Sequence, residues 1–117
     1  MAVRRVGRAI EEDFESKCGV KFTAVFTPHF IEMMMQRADI FTPSLANKFR
    51  ADLPELFDVM RQHNDKCVHK HVGRSYVYMK RKFNEHPSRK RWEVELISVT
   101  PDVHAHTEEL KYSIPLD

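Results

Sequence analysis

Glycine is scarce in this chain, with three residues in 117. A loop that cradles phosphate through bare backbone needs more, and neither GxGxxG nor GxxxxGKS/T is present. Two cysteines, Cys18 and Cys67, are too few for a disulfide framework. They are expected as free thiols in a reducing compartment. No apolar run approaches the roughly 20 residues that span a bilayer, so no membrane partner is expected. The opening stretch MAVRRVGRAIEEDFE has charge but lacks an apolar core and a small-residue cleavage site. It does not read as a secretory signal, and a soluble, cytoplasmic protein is the expectation. Repeats, low-complexity tracts and linkers are missing too. Residues 1–117 therefore read as one domain, long enough to bury a core without staples.

What is present is a local charge imbalance. The chain as a whole has 19 Lys and Arg against 17 Asp and Glu. Residues 61–91 hold ten of those bases and only two acids, Asp65 and Glu85, a surplus of +8. The rest of the chain, with 9 bases and 15 acids, carries −6. A concentrated basic segment is the footprint expected of a phosphate-binding surface, with RNA or DNA as partner. Tyr76 and Tyr78 sit among the bases, where bases of a nucleic acid could stack. The competing reading is a solvated basic hairpin with acidic neighbours.

The expected element order is helix, strand, helices, strands, an α+β pattern with helices packed on an antiparallel sheet. Val6, Ile10, Phe14 and Lys17 recur at helical spacing, predicting a helix over 6–17 that stops at Gly19. VKFTAVF (20–26) is β-branched and aromatic and predicts a strand. Thr27-Pro28 and Thr42-Pro43 each read as an N-cap followed by Pro in the first turn, opening helices to about Ala38 and about Arg50. A second helical stretch is expected near 53–62, either separate or continuing that helix after Pro54. Strands are expected at 66–72, 74–83 and 92–99, with Gly73 permitting a turn, a loop over 84–90 and a short last strand around 110–114. In a strand over 74–83, Arg74, Tyr76, Tyr78, Lys80 and Lys82 share one face, and Ser75, Val77, Met79, Arg81 and Phe83 share the other. Arg89, Lys90 and Arg91 extend the basic surface. The alternative for the first face is a solvent-facing strand with snorkelling lysines. Trp92, Val94 and Leu96 form a buried face opposite Glu93 and Glu95.

Two further constellations carry chemistry. On the helix after Pro28, His29, Glu32, Met33 and Gln36 fall in one sector. His29 held by Glu32 could act as a general base, or His29 is simply exposed at a helix N-terminus. The run Met33-Met34-Met35 reads as adaptable core filling. Cys67, His69 and His71 lie on one side of a strand, and His104 and His106 offer two more nitrogens for a transition metal. Their spacing matches no structural zinc pattern, and neither metal nor cofactor is expected.

The stretch TPHFIEMMMQR (27–37) resembles the helix of small bacterial and phage domains of the RelE and BrnT toxin group. The residues carrying the likeness are His29, Glu32, Met34 and Arg37. A second helix, the aromatic, basic strand RSYVYMKRKF and the strand WEVELISVT follow in similar order, so the resemblance covers about residues 20–101. Met33 stands where the group usually has Arg. The resemblance implies a RelE-like sheet with packed helices and metal-independent RNA cleavage. It implies His29 as base or acid beside Glu32, Arg74, Lys80 and Arg81 as phosphate stabilisers, and Tyr78 as a stacking platform. It also implies an antitoxin or the ribosome as partner. Alternation puts Lys80 and Arg81 on opposite faces, against both touching one phosphate. The second reading is a noncatalytic, viral-type inhibitor whose basic hairpin blocks a host nucleic-acid-binding protein or another acidic partner. A third is a metal-dependent hydrolase using the histidines.

Overall fold

The computed structural model describes residues 2–102 and 107–116. Its elements are β1 (Val3–Val6), β2 (Ala9–Glu15), β3 (Lys21–Phe26), α1 (Pro28–Gln36), α2 (Pro43–Val59), β4 (Cys67–Val72), β5 (Ser75–Asn84), β6 (Arg91–Thr100), α3 (Glu108–Lys111) and β7 (Ile114–Pro115). All seven strands join one sheet, in the order β1-β2-β3-β6-β5-β4-β7. Most pairs are antiparallel, but β3 runs parallel to β6 and β4 parallel to β7. The sheet is thus mixed, where an antiparallel one was expected. The cause is the long crossover through α1, α2, β4 and β5, which returns the chain to the strand beside β3 in the same direction.

The expected first helix is instead the β1–β2 hairpin. Val6 pairs with Ala9 across the two-residue loop Gly7-Arg8, and Gly7 takes φ +61° at its first position. That is the backbone demand of a type II′ turn, met without strain by glycine. The sequence AIEEDFE carries both periods. Strand alternation wins because it puts Ile10 and Phe14 toward the helices and leaves Glu11 and Asp13 on the other side with Arg4.

The helix starts follow the sequence closely. Thr27 and Thr42 accept from the backbone N–H groups of Phe30 and Leu45, with Pro28 and Pro43 in the first turns. α2 does not break at Pro54 but runs unbroken for 17 residues, followed by a 3-10 turn over Met60–His63. Phe49, Leu53, Leu56, Phe57 and Met60 line one buried stripe, whose packing outweighs the hydrogen bond lost at Pro54. These residues meet Phe22, Ala24, Val68, Val77, Met79, Val94, Leu96 and Val99 from the sheet to form the main core. Met33 and Met34 pack against it, whereas Met35 is 71% exposed. Residues 108–111, expected near a last strand, form the single turn α3, capped by Thr107. α3 covers a small second cluster on the opposite face of the sheet, made by Cys67, Tyr78 and Leu110 with Tyr76 and Ile97. Ile97 is the extra residue of a bulge, since Tyr78 pairs with Ser98 and Met79 with Leu96.

Candidate nucleic-acid interface

The two faces of β5 separate as alternation requires. Val77 and Met79 enter the main core, and Tyr76, Tyr78, Lys80 and Lys82 take the face opposite the two long helices. Along the middle of that opposite face the basic side chains meet acids from neighbouring strands. Buried Glu11 accepts from Arg91 at 2.9 Å and Arg89 at 3.2 Å and pairs with Arg4 at 3.1 Å. Arg91 also donates to buried Glu93 at 2.8 Å. Lys82 lies 3.4 Å from Glu95, and Lys80 lies 2.5 Å from Glu109 of α3. Arg4 grips Asp13 through two bonds, of 2.8 and 3.1 Å, and Thr23 donates to the same carboxylate at 2.8 Å.

Electrostatics follows the geometry. Burial pushes the Glu11 carboxyl up, but the hydrogen bond from Arg91 and the charges of Arg91, Arg89 and Arg4 outweigh it and hold it below its ordinary value. The bond from Arg4 does the same for Asp13 against a smaller desolvation cost. The bond to Glu109 raises the Lys80 ammonium above its ordinary value, fixing it as a cation whose charge is already matched.

Two residues of the expected interface are inside the protein. Tyr78 is fully buried beneath α3 and offers no ring to a base. Arg81 is 4% exposed. Its guanidinium lies 3.9 Å from the Phe57 ring centre and 4.6 Å from that of Trp92, and it donates to the Phe57 carbonyl at 2.6 Å. Arg81 is therefore a core cation, and its pKa is lowered by burial. The catalytic set is not brought together. His29, at the exposed start of α1, contacts Ser98 at 3.3 Å, and exposed Glu32 accepts from Gln36 at 3.2 Å. Lys80 stands on the other side of the sheet from the helices and Arg81 within the core. Arg37 donates to the Val99 carbonyl, a packing role.

What remains available from residues 61–91 is Arg61, Lys66, Lys70, Arg74 and Lys90, none with an ion-pair partner among the described residues. Lys70 and Arg74 belong to one structure, the end of the β4–β5 hairpin. Gly73 and Arg74 form its two-residue loop, closed by the Val72–Ser75 pair and by a 2.8 Å bond from the Ser75 hydroxyl to the Val72 carbonyl. Gly73 has φ +62°, and a Cβ there would come 2.7 Å from the Leu45 side chain, so the loop is seated directly on α2. Beside it, exposed His71 stacks on Tyr76 with ring centres 4.8 Å apart and planes inclined at 19°. His69 closes the other side of Tyr76 edge-on at 5.9 Å.

No protein-family model matches the chain, and no curated protein or solved structure is significantly similar to it.

Cys67, His69 and His71 do share one side of β4, through their pairing with Lys80, Tyr78 and Tyr76. The two histidines pack against the rings of Tyr76 and Tyr78, and Cys67 sits in the small apolar cluster beside Lys80. His69 Nδ1 lies 2.5 Å from the Ser113 hydroxyl, and burial pushes the Cys67 thiol up to about 12. The described residues contain no group of three His, Cys, Asp or Glu side chains placed to hold a metal, and His104 and His106 lie outside the described residues. No described helix is long and apolar enough to cross a membrane.

Sequence reasoning missed the acids that neutralise the basic strand. Glu11 and Asp13 fall within the helix expected over 6–17, Glu93 and Glu95 on the unburied face of their strand with no partner named, and Glu109 in no expected contact. It also missed His71 as a stacking ring. The signal available was the alternation in β4, which places His71 opposite Tyr76.

Proposed function

We propose that this protein is a noncatalytic nucleic-acid-binding domain, directed to RNA, whose contact surface is the end of the β4–β5 hairpin. The observation that carries the reading is the His71–Tyr76 stack beside the loop that carries exposed Arg74, with Lys70 leaving β4 on the opposite face of the same hairpin end; neither cation has an ion-pair partner among the described residues. The outer face of an exposed imidazole is a stacking platform for an unpaired base, and flanking cations take the phosphates. Seating of the loop on Leu45 keeps the pair in place without a ligand, which lowers the ordering cost of binding. The scattered positions of His29, Lys80 and Arg81 favour binding over cleavage. Binding by such a surface blocks a site on RNA, or displaces a host protein from it, without chemistry.

The test is fluorescence anisotropy of a labelled single-stranded RNA against salt concentration. Two to three phosphate contacts predict a slope of roughly −2 in log K against log salt. Wild-type protein that binds no RNA at low salt would overturn the reading. Cleavage of RNA by clean protein, lost in His29→Ala, would restore the enzyme.

A further inference from the structure

The proposed interface leaves unused an apolar cavity on the helix side, at the other edge of the sheet. It has a volume of about 520 Å³ and opens between the β1–β2 hairpin, α1 and α2. This lies within the roughly 300–1,000 Å³ typical of small-molecule sites. Buried Phe30, Phe41 and Phe49 contribute to its walls, and Met34 and exposed Met35 to its lining. Methionine side chains adapt to the shape of an apolar guest.

Two polar features interrupt this lining, exposed Asn47 at its rim and the pair Glu12–Arg50. Glu12 is 2% exposed, and its carboxylate receives two bonds from Arg50, from Nε at 2.6 Å and from Nη2. Both carboxylate oxygens are thereby engaged. Arg50 Nη1 has no acceptor among the described residues, and the Arg50 side chain is 40% exposed. An arginine can only donate. A guest that takes the place of water at Nη1 must therefore bring an acceptor. It should carry no charge, because the pair it meets is already neutral: a second anion would face Glu12 and a cation would face Arg50.

We propose that this cavity is a binding site for a small, neutral, apolar molecule bearing one hydrogen-bond acceptor, of the medium-chain ketone class, with Arg50 as the donor. The proposal does not rest on the nucleic-acid interface, whose hairpin touches α2 at Leu45, next to Ala46 of the cavity lining.

The experiment uses full-length protein with ¹³C-methyl methionine and titrates 2-octanone, octanoate and octylammonium separately. The expected result is saturable movement of the Met34 and Met35 signals with 2-octanone, with the core residues Met60 and Met79 unmoved. Octanoate and octylammonium should bind about tenfold more weakly or worse, the scale set by one mismatched polar contact. Ala38→Phe, at an exposed position on the cavity lining, should weaken 2-octanone about tenfold without unfolding the protein. Arg50→Lys keeps a cation for Glu12 but removes the fork, and should erase the preference for the ketone. Absence of any saturable shift with 2-octanone would overturn the proposal. So would equal affinity for the three probes, or unchanged 2-octanone binding in Ala38→Phe.

Discussion

Replacing Arg81 separates a core role from a ligand-binding one. The side chain donates a charge-assisted hydrogen bond to the Phe57 carbonyl and lies between the rings of Phe57 and Trp92. A bond to a charged donor contributes about 1.5–3 kcal/mol, and each desolvated cation–π contact about 0.5–2 kcal/mol. Burying the cation offsets part of this, because no carboxylate contacts it and its Nε has no partner. Truncation also leaves a cavity beneath Trp92. Arg81→Ala should therefore cost about 3 kcal/mol, the middle of the range for large core truncations. Arg81→Met keeps most of the volume and removes the buried charge, so it should cost about 1 kcal/mol or less. At about 4 °C of Tm per kcal/mol for a domain of this size, the two variants should melt about 12 °C and at most about 4 °C below wild type. Thermal unfolding followed by circular dichroism measures both, and RNA binding is assayed well below either midpoint, where both should bind as wild type does. An Arg81→Ala protein that melts normally but has lost RNA binding would refute the reasoning and place the guanidinium on a ligand.

Glu11→Gln leaves Arg4, Arg89 and Arg91 facing one another, and should cost about 2 kcal/mol in chemical denaturation, below the usual range for a buried pair because the arginines are partly solvated. The same variant leaves Arg91 on Glu93 and frees Arg89 at the end of β5 away from the hairpin, so RNA binding should change little; unchanged stability would contradict the network. Glu11 and Asp13 have folded pKa values below their unfolded ones, so their contribution is fully present above the ordinary carboxylate range and is lost as pH falls through the lowered values. Tm should accordingly be flat near neutrality and drop below about pH 4, with a shallower drop in Glu11→Gln. Iodoacetamide should modify exposed Cys18 quickly and spare Cys67, whose thiol is pushed up to about 12 by burial; peptide mass mapping that finds equal rates would show Cys67 to be accessible.

Local signals proved readable where one physical demand dominates. The two Thr-Pro starts fixed α1 and α2, and the alternation of β5 and β6 placed Val77, Met79, Val94 and Leu96 in the core. Signals failed where two demands compete. AIEEDFE is compatible with helix and strand, and only the Gly7 turn and the unsatisfied edge of β3 decide it. Pro54 leaves open whether one helix or two follow Pro43, and the apolar stripe of α2 decides for one. The basic segment was visible, but its neutralisation was not. Glu11 lies 80 residues from Arg91 in the chain, and their contact depends on the parallel pairing of β3 with β6, a register that no local pattern encodes. Arg81 and Tyr78 show the same limit: alternation gave their faces, but not that Trp92 and α3 would cover them.

The proposed function rests on the hairpin end, and not the middle of β5, being the part of the basic segment open to a ligand. Two charge reversals compared on one labelled RNA test this most directly: Lys70→Glu with Arg74→Glu against Lys80→Glu with Lys82→Glu. Each protein is first shown to be folded, and affinity is then measured across a salt series. The hairpin reversal should abolish binding and the salt slope with it. The strand reversal should leave much of the affinity, because Lys80 and Lys82 are already matched by Glu109 and Glu95. Loss of binding in the strand reversal alone, with the hairpin reversal unaffected, would contradict the account.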